Sequence, residues 1–183
     1  MSSEDCGKLV RAAHFAAEKH RDQRRKDEAQ TPYINHPLSV ADLLRVFGVV
    51  DIEILSAAIL HDVLEDTQTS PGEIAEQFGM AVLALVVEVS DDKSHLKQVR
   101  KDLQIENAHT LSEGARLIRL ADKICNLTDM VTRPPVGWMK DRLSAYVEWC
   151  EAVVSRMPKT HSGLEARFEE VSESARQAFL ARQ

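Results

Sequence analysis

The residues best equipped for chemistry sit together in His61-Asp62-Val63-Leu64-Glu65-Asp66-Thr67, which puts an imidazole, three carboxylates and a hydroxyl into seven positions. The run just before it, Ile52 to Leu60, is apolar at most positions and reads as a buried helix. Carboxylates buried without partners are costly, and a metal ion is the usual reason to tolerate them. His61 and Asp62 are neighbours, about 100° apart on a helix, so both can lean toward one site from one rigid turn. Glu65 and Asp66 follow where that helix could end, within reach of the same site without having to bind the ion. Two further residues fit such a centre. His36 lies in Tyr33-Ile34-Asn35-His36-Pro37, at or near a helix start because proline suits a first turn. Asp122 interrupts the apolar face of Leu120-Ala121-Asp122-Lys123-Ile124-Cys125-Asn126-Leu127. A lone buried aspartate is more often a salt bridge or a cap. In the company of His36, His61 and Asp62 it completes a mixed nitrogen and oxygen set that suits manganese, iron, zinc or magnesium. These ligand types exclude a closed, cysteine-rich structural zinc site.

The elements that must position these residues read as helices. The first starts near Ser2 to Asp5, with acidic residues at its positive end, and carries Leu9, Ala12, Ala13, Ala16 and His20 at helical spacing. It breaks in Asp27 to Pro32. The His36 helix carries Leu38, Ala41, Leu44 and Val46 and stops around Gly48. Asp51 is placed to cap the helix that leads into His61. Thr69-Ser70-Pro71-Gly72 starts a short helix through Phe78, closed by Gly79, and Ala81 to Val89 follows as an apolar helix. Ser90 to Lys97 reads as a polar loop entering a basic helix through Arg100 and Lys101. Thr110-Leu111-Ser112-Glu113 has the spacing of a capping box for the helix bearing Asp122, which Pro134 and Pro135 end. Gly137 to Met157 and Leu164 to Leu180 read as two more helices. With no clear strand and no repeat, the expected fold class is all-α: a single compact multi-helix bundle spanning residues 1–183.

Bulk properties agree. At 44% hydrophobic residues the chain can bury a full core, and at 5% aromatic with few β-branched runs it favours helices over packed sheets. The net charge of −6 argues against general nucleic-acid binding but permits a local basic pocket for a small phosphorylated ligand. Cys6, Cys125 and Cys150 have no C-x-x-C spacing, and their odd number gives no complete disulfide framework, so reduced thiols in a cytoplasm are expected. The longest apolar run, Met80 to Val87, is too short to cross a bilayer, and the N-terminal MSSEDCGKLV lacks the basic-then-apolar order of a signal peptide. Nothing in the chain specifies an oligomeric state.

The order H…HD…D resembles the HD superfamily of metal-dependent phosphohydrolases. The longer matches are more specific. Arg25-Lys26, Thr31 to Pro37, Ala58 to Thr67 and Leu120 to Leu127 are similar to the hydrolase domain of RelA/SpoT enzymes, above all to the stand-alone small alarmone hydrolases of the Mesh group. The resemblance covers nearly the whole chain, least clearly at its C-terminal end, and leaves no room for a synthetase domain. It implies removal of the 3′-pyrophosphate from (p)ppGpp-type alarmones, giving GDP or GTP and pyrophosphate, with one manganese ion per chain and other divalent ions also admissible. By position, His36, His61, Asp62 and Asp122 look like the metal ligands, and Glu65 and Asp66 like the pair that positions and activates the attacking water. Arg25, Lys26, Lys97, Asn126, Arg142 and Tyr146 fall where the family contacts the nucleotide and its phosphates. Tyr146 shares a helix face with Arg142, four residues before it.

The same site could take an adenine alarmone such as (p)ppApp, or the 2′-phosphate of NADPH, since each presents phosphate on a ribose secondary oxygen. A non-catalytic nucleotide sensor is a reading from another class, and the intact ligand set and Glu65-Asp66 pair count against it. Trp138 and Trp149 have apolar neighbours and read as core. Two departures from the family pattern bear on base preference: His95-Leu96 replaces an apolar residue followed by proline, and Cys125 stands where a larger residue is common.

Overall fold

The computed structural model describes residues 2–180. Ten helices order this part of the chain, and no strand is formed among the described residues beyond one isolated bridge, Arg24 to Pro32. They are α1 (Ser3–Lys19), α2 (Asn35–Val46), α3 (Ile52–Leu60), α4 (Val63–Asp66), α5 (Pro71–Phe78), α6 (Met80–Val89), α7 (Lys97–Asn107), α8 (Glu113–Thr132), α9 (Lys140–Arg156) and α10 (Ser162–Leu180).

Local chemistry sets most of these boundaries. Ser2 and Asp5 form a reciprocal capping box at α1, the Ser2 hydroxyl accepting from Asp5 N and the Asp5 carboxylate from Ser2 N. Asp51 accepts from Ile54 N to start α3. Ser70 caps α5, whose first residue is Pro71, and Gly79 at φ 91° turns the chain directly into α6. The cap of α8 differs from expectation. Ser112, in extended conformation, accepts from Ala115 N, whereas Thr110 closes a preceding 3-10 turn and its hydroxyl donates to Asn107 O. Helix α9 starts at Lys140 rather than Gly137, because Gly137 adopts φ 74° and Val136 N donates to Lys26 O. That bond ties the 133–139 loop to the 21–34 loop.

The core is one contiguous set of aliphatic and aromatic side chains drawn from α1, α2, α3, α4, α5, α6, α8, α9 and α10. Helix α8 runs through its middle and packs chiefly on α10 and α2. The expected continuous helix through His61 and Asp62 is interrupted. Helix α3 ends at Leu60, His61 and Asp62 form a turn, and Glu65 and Asp66 ride on the separate single turn α4. No helix among the described residues is long and apolar enough to cross a membrane.

Candidate metal and nucleotide site

The break after α3 aims His61 and Asp62 into the bundle, facing His36 from the first turn of α2 and Asp122 from the middle of α8. Ligand atoms of His36, His61 and Asp62 lie within 4.8 Å of one another. Asp122 Oδ1 is 3.0 Å from His36 Nε2 and 3.8 Å from His61 Nε2, and Asp62 Oδ2 is 3.1 Å from His61 Nε2. Both imidazoles are buried. Burial disfavours charge on His61, yet Asp62 and then Asp122 push its pKa up to about 9. Burial also opposes charge on the two aspartates, but His61 holds Asp62, and His36 holds Asp122, well below the usual carboxylate range.

This donor set fits a divalent cation. His61 Nδ1 is 2.8 Å from Ala58 O, which fixes it as the N–H donor and turns the other ring nitrogen toward the cluster. That nitrogen, Nε2, is buried without a hydrogen-bond partner. Two nitrogens and two carboxylates converging in a half-closed pocket are a hard-to-intermediate ligand set with room left for oxygen ligands.

Two cavities adjoin, one at the cluster and one outside it. The metal-side cavity, about 220 Å³, is lined by the four ligand-type residues together with Glu65, Asp66, Lys97, Arg100, Lys123 and Trp149, among others. The outer cavity, about 340 Å³, is lined by Arg24, Lys26, Asp27, Met130, Arg133, Pro135 and Trp138, among others. Arg25, Tyr33, Asp66, Lys97, Asn126 and Tyr146 line both. The space therefore suits an elongated anionic ligand, with cationic side chains of the walls along its length.

A family pattern described as HD domain matches residues 12–137. The chain belongs to the HD-domain family. Within it, this HD-domain chain groups with the MESH1 proteins. Guanosine-3′,5′-bis(diphosphate) 3′-pyrophosphohydrolase MESH1 of Homo sapiens is 49% identical over 162 residues, covering 88% of this chain and 90% of that one. The Xenopus tropicalis MESH1 is 46% identical, over 91% of this chain and 94% of its own. Among solved structures, a metazoan ortholog of SpoT, described as hydrolysing ppGpp and playing a role in starvation responses, superposes with a TM-score of 0.89 at 43% identity, covering 95% and 96% of the two chains. HD hydrolases depend on a metal, and a His/Asp cluster able to hold one is present in this chain.

Each predicted site residue has a definite place. Glu65 Oε1 accepts from Arg100 at 2.9 Å and Oε2 from Asp91 N at 3.2 Å. Burial, then Asp91, raises the Glu65 pKa. Asp66 is ion-paired to Lys93 and accepts from the Tyr33 hydroxyl at 3.2 Å. Arg25 is turned inward, donating to Asn126 Oδ1 at 2.8 Å and Asp129 at 3.0 Å, and Asn126 in turn donates to Asp122 Oδ1 at 2.6 Å. Lys26 and Lys97 are exposed at the cavity walls. Arg142 is exposed and stacks on Trp138, its guanidinium carbon 4.0 Å from the ring centre. Trp138, read as core, is half-buried: it packs against the core and also forms a wall of the outer cavity. Trp149 lines the metal-side cavity and donates its indole N–H to Lys101 O.

The sequence reading missed three polar residues around the cluster. Tyr33 donates to Asp62 Oδ2 at 2.7 Å. Lys123 is buried, 3.8 Å from Asp122 Oδ2 and 3.7 Å above the Trp149 ring, and donates to Gln104. Arg100 holds Glu65. Lys123 carried a signal, since a lysine on the apolar face of a core helix demands a partner. Arg100 carried a weaker one, lying one turn from Lys97 on the same face.

Proposed function

We propose that this chain is a metal-dependent hydrolase that removes the 3′-diphosphate from (p)ppGpp-type alarmones, releasing pyrophosphate and leaving GDP or GTP. The observation that carries the proposal is the convergence of two imidazoles and two carboxylates at the closed end of a cavity whose walls bring Glu65, Asp66 and several cations to the same point. The names of the MESH1 relatives and of the SpoT ortholog support the same substrate.

His36, His61, Asp62 and Asp122 would hold the ion, taken to be Mn²⁺. A divalent ion supplies charge neutralisation at phosphate and acidifies a bound water. The remaining work belongs to side chains of this chain. Glu65, with two of its lone-pair positions occupied by Arg100 and Asp91 N, keeps others to accept a proton from the attacking water. Asp66 orients that water from the other side, its charge balanced by Lys93. The water oxygen bonds to the ribose-proximal phosphorus, the bond from that phosphorus to O3′ breaks, and O3′ takes up a proton. Lys97, Lys26 and Arg142 offset the charge of the nucleotide phosphates, and Tyr146, between Trp138 and Trp149, presents a flat surface to the ligand. Asn126 and Arg25 contribute by holding Asp122 and the cavity wall.

The whole chain is taken as one hydrolase domain, acting in a cytoplasm on a free nucleotide and not on nucleic acid. Its three cysteines are free, in keeping with that compartment.

The test is turnover of ppGpp, ppApp and NADPH by purified protein with Mn²⁺, with products identified. Pyrophosphate from ppGpp supports the proposal. Orthophosphate from NADPH with no action on ppGpp overturns it. Glu65→Ala combined with Asp66→Ala should abolish hydrolysis while leaving metal and nucleotide binding measurable, and unchanged turnover would remove the water-activating roles.

A further inference from the structure

Helix α7 has no buried residue among those described, yet it closes one side of the site. Its seat is polar and lies along one face. Lys97 lines both cavities, Arg100 one turn later reaches Glu65, and Gln104 a further turn on donates to both oxygens of Asp91 and accepts from Lys123. Arg100 is the centre of this row. Its Nη1 is 2.9 Å from Glu65 Oε1 and 3.7 Å from Asp91 Oδ2, and its Nε is buried without a partner. A guanidinium in that position is retained against its desolvation cost by the two carboxylates it faces.

We infer that Arg100 is the positioning residue for Glu65, locking the carboxylate in the rotamer that faces the cluster and tying that rotamer to the seating of α7 beside the substrate cavity. The inference rests on the hydrolase reading and deepens it. Two bonds from different elements define the Glu65 head group: Arg100 on one oxygen, and Asp91 N on the other. Removing the Arg100 arm leaves a half-buried carboxylate beside Asp91, Asp62 and Asp66 without its ion-pair partner, so it both swings and gains proton affinity. Lys97, less than one turn before Arg100, sets the same helix against the substrate cavity.

The test compares wild type, Arg100→Gln and Arg100→Lys as full chains. With ppGpp and Mn²⁺, Arg100→Gln should lose about 10²-fold in kcat, as expected for a displaced general base, while KM changes little. The acidic limb of its kcat/KM profile should move to higher pH. Arg100→Lys, which keeps the charge and loses the fork, should recover part of the loss. A second arm needs no turnover. In ¹³C-glutamate-labelled protein, with the Glu65 signal assigned by its absence in Glu65→Gln, the Glu65 carboxyl pKa should rise by about 1–3 units in Arg100→Gln. An unchanged Glu65 pKa, or a variant whose KM rises while kcat and the pH profile stay put, overturns the inference. A wild type inactive on ppGpp overturns the proposed substrate instead, and the carboxyl titration still decides the role of Arg100.

Discussion

At the scale of single residues, the cluster is a compromise between burial and charge. His36 and His61 are almost wholly buried, and each is flanked by carboxylates that burial alone would neutralise. Such a group is most stable with a cation in its midst. Mn²⁺ should therefore raise the thermal unfolding midpoint, by the equivalent of about 2.7 kcal/mol at a hundredfold excess over its Kd, and a chelator should reverse the rise. Asp122→Ala should remove that response. Calorimetry with and without Mn²⁺ checks both. Asp27 supports the site from the loop that carries Arg25. Thr31 donates to it from both its backbone N–H and its hydroxyl, and the hydroxyl bond chiefly holds the Asp27 pKa below the ordinary carboxylate value. Because the folded pKa is the lower one, this stabilisation is complete above the unfolded value and is lost as the pH falls through the folded one. Asp27→Ala should thus cost about 1 kcal/mol at pH 7, the difference from wild type closing in acid, as urea titrations at both pH values would measure.

At the scale of elements, secondary structure was largely legible because caps and apolar spacing are local. Ser2, Asp51 and Ser70-Pro71 announced α1, α3 and α5, and each cap is formed. What failed also failed for local reasons. Two hydroxyl residues competed to cap α8, and spacing alone could not choose between Thr110 and Ser112. The pair His61-Asp62 was read as a continuing helix, although the break after Leu60 is what turns both side chains inward. The four ligand-type residues were legible from their types and their apolar surroundings. Tyr33 was not, and Lys123 and Arg100 were so only faintly, because their partners lie 29, 19 and 35 positions away. The polar seat of α7 also has a dynamic consequence. With no buried side chain it should open more readily than α8, so its amides should exchange with deuterium on the order of tenfold faster or more, and a bound nucleotide should slow them.

At the scale of the whole molecule, α10 closes the bundle far from the cluster and packs on the helix that carries Asp122. If the chain folds as one unit, circular dichroism, which follows all helices, and fluorescence of Trp138 and Trp149, which line the cavities, should report the same unfolding transition. Leu164, fully buried at the start of α10, is a sensitive probe. Leu164→Ala should cost about 2–5 kcal/mol and shift both signals together. Two separate transitions would show that the C-terminal helices fold independently.

The chain of contacts from Arg25 through Asn126 to Asp122 limits how such a protein can change its tastes. The Asn126 amide is engaged at both ends, its oxygen by Arg25 and its nitrogen by Asp122. With Asp122 as the proposed ligand, altering Asn126 to favour another nucleobase would loosen the hold on the ion at the same stroke. Under the proposed reading, any shift of preference between guanine and adenine is easiest to write into Met130, Pro135 and Trp138, which border the outer chamber and not the one that holds the cluster.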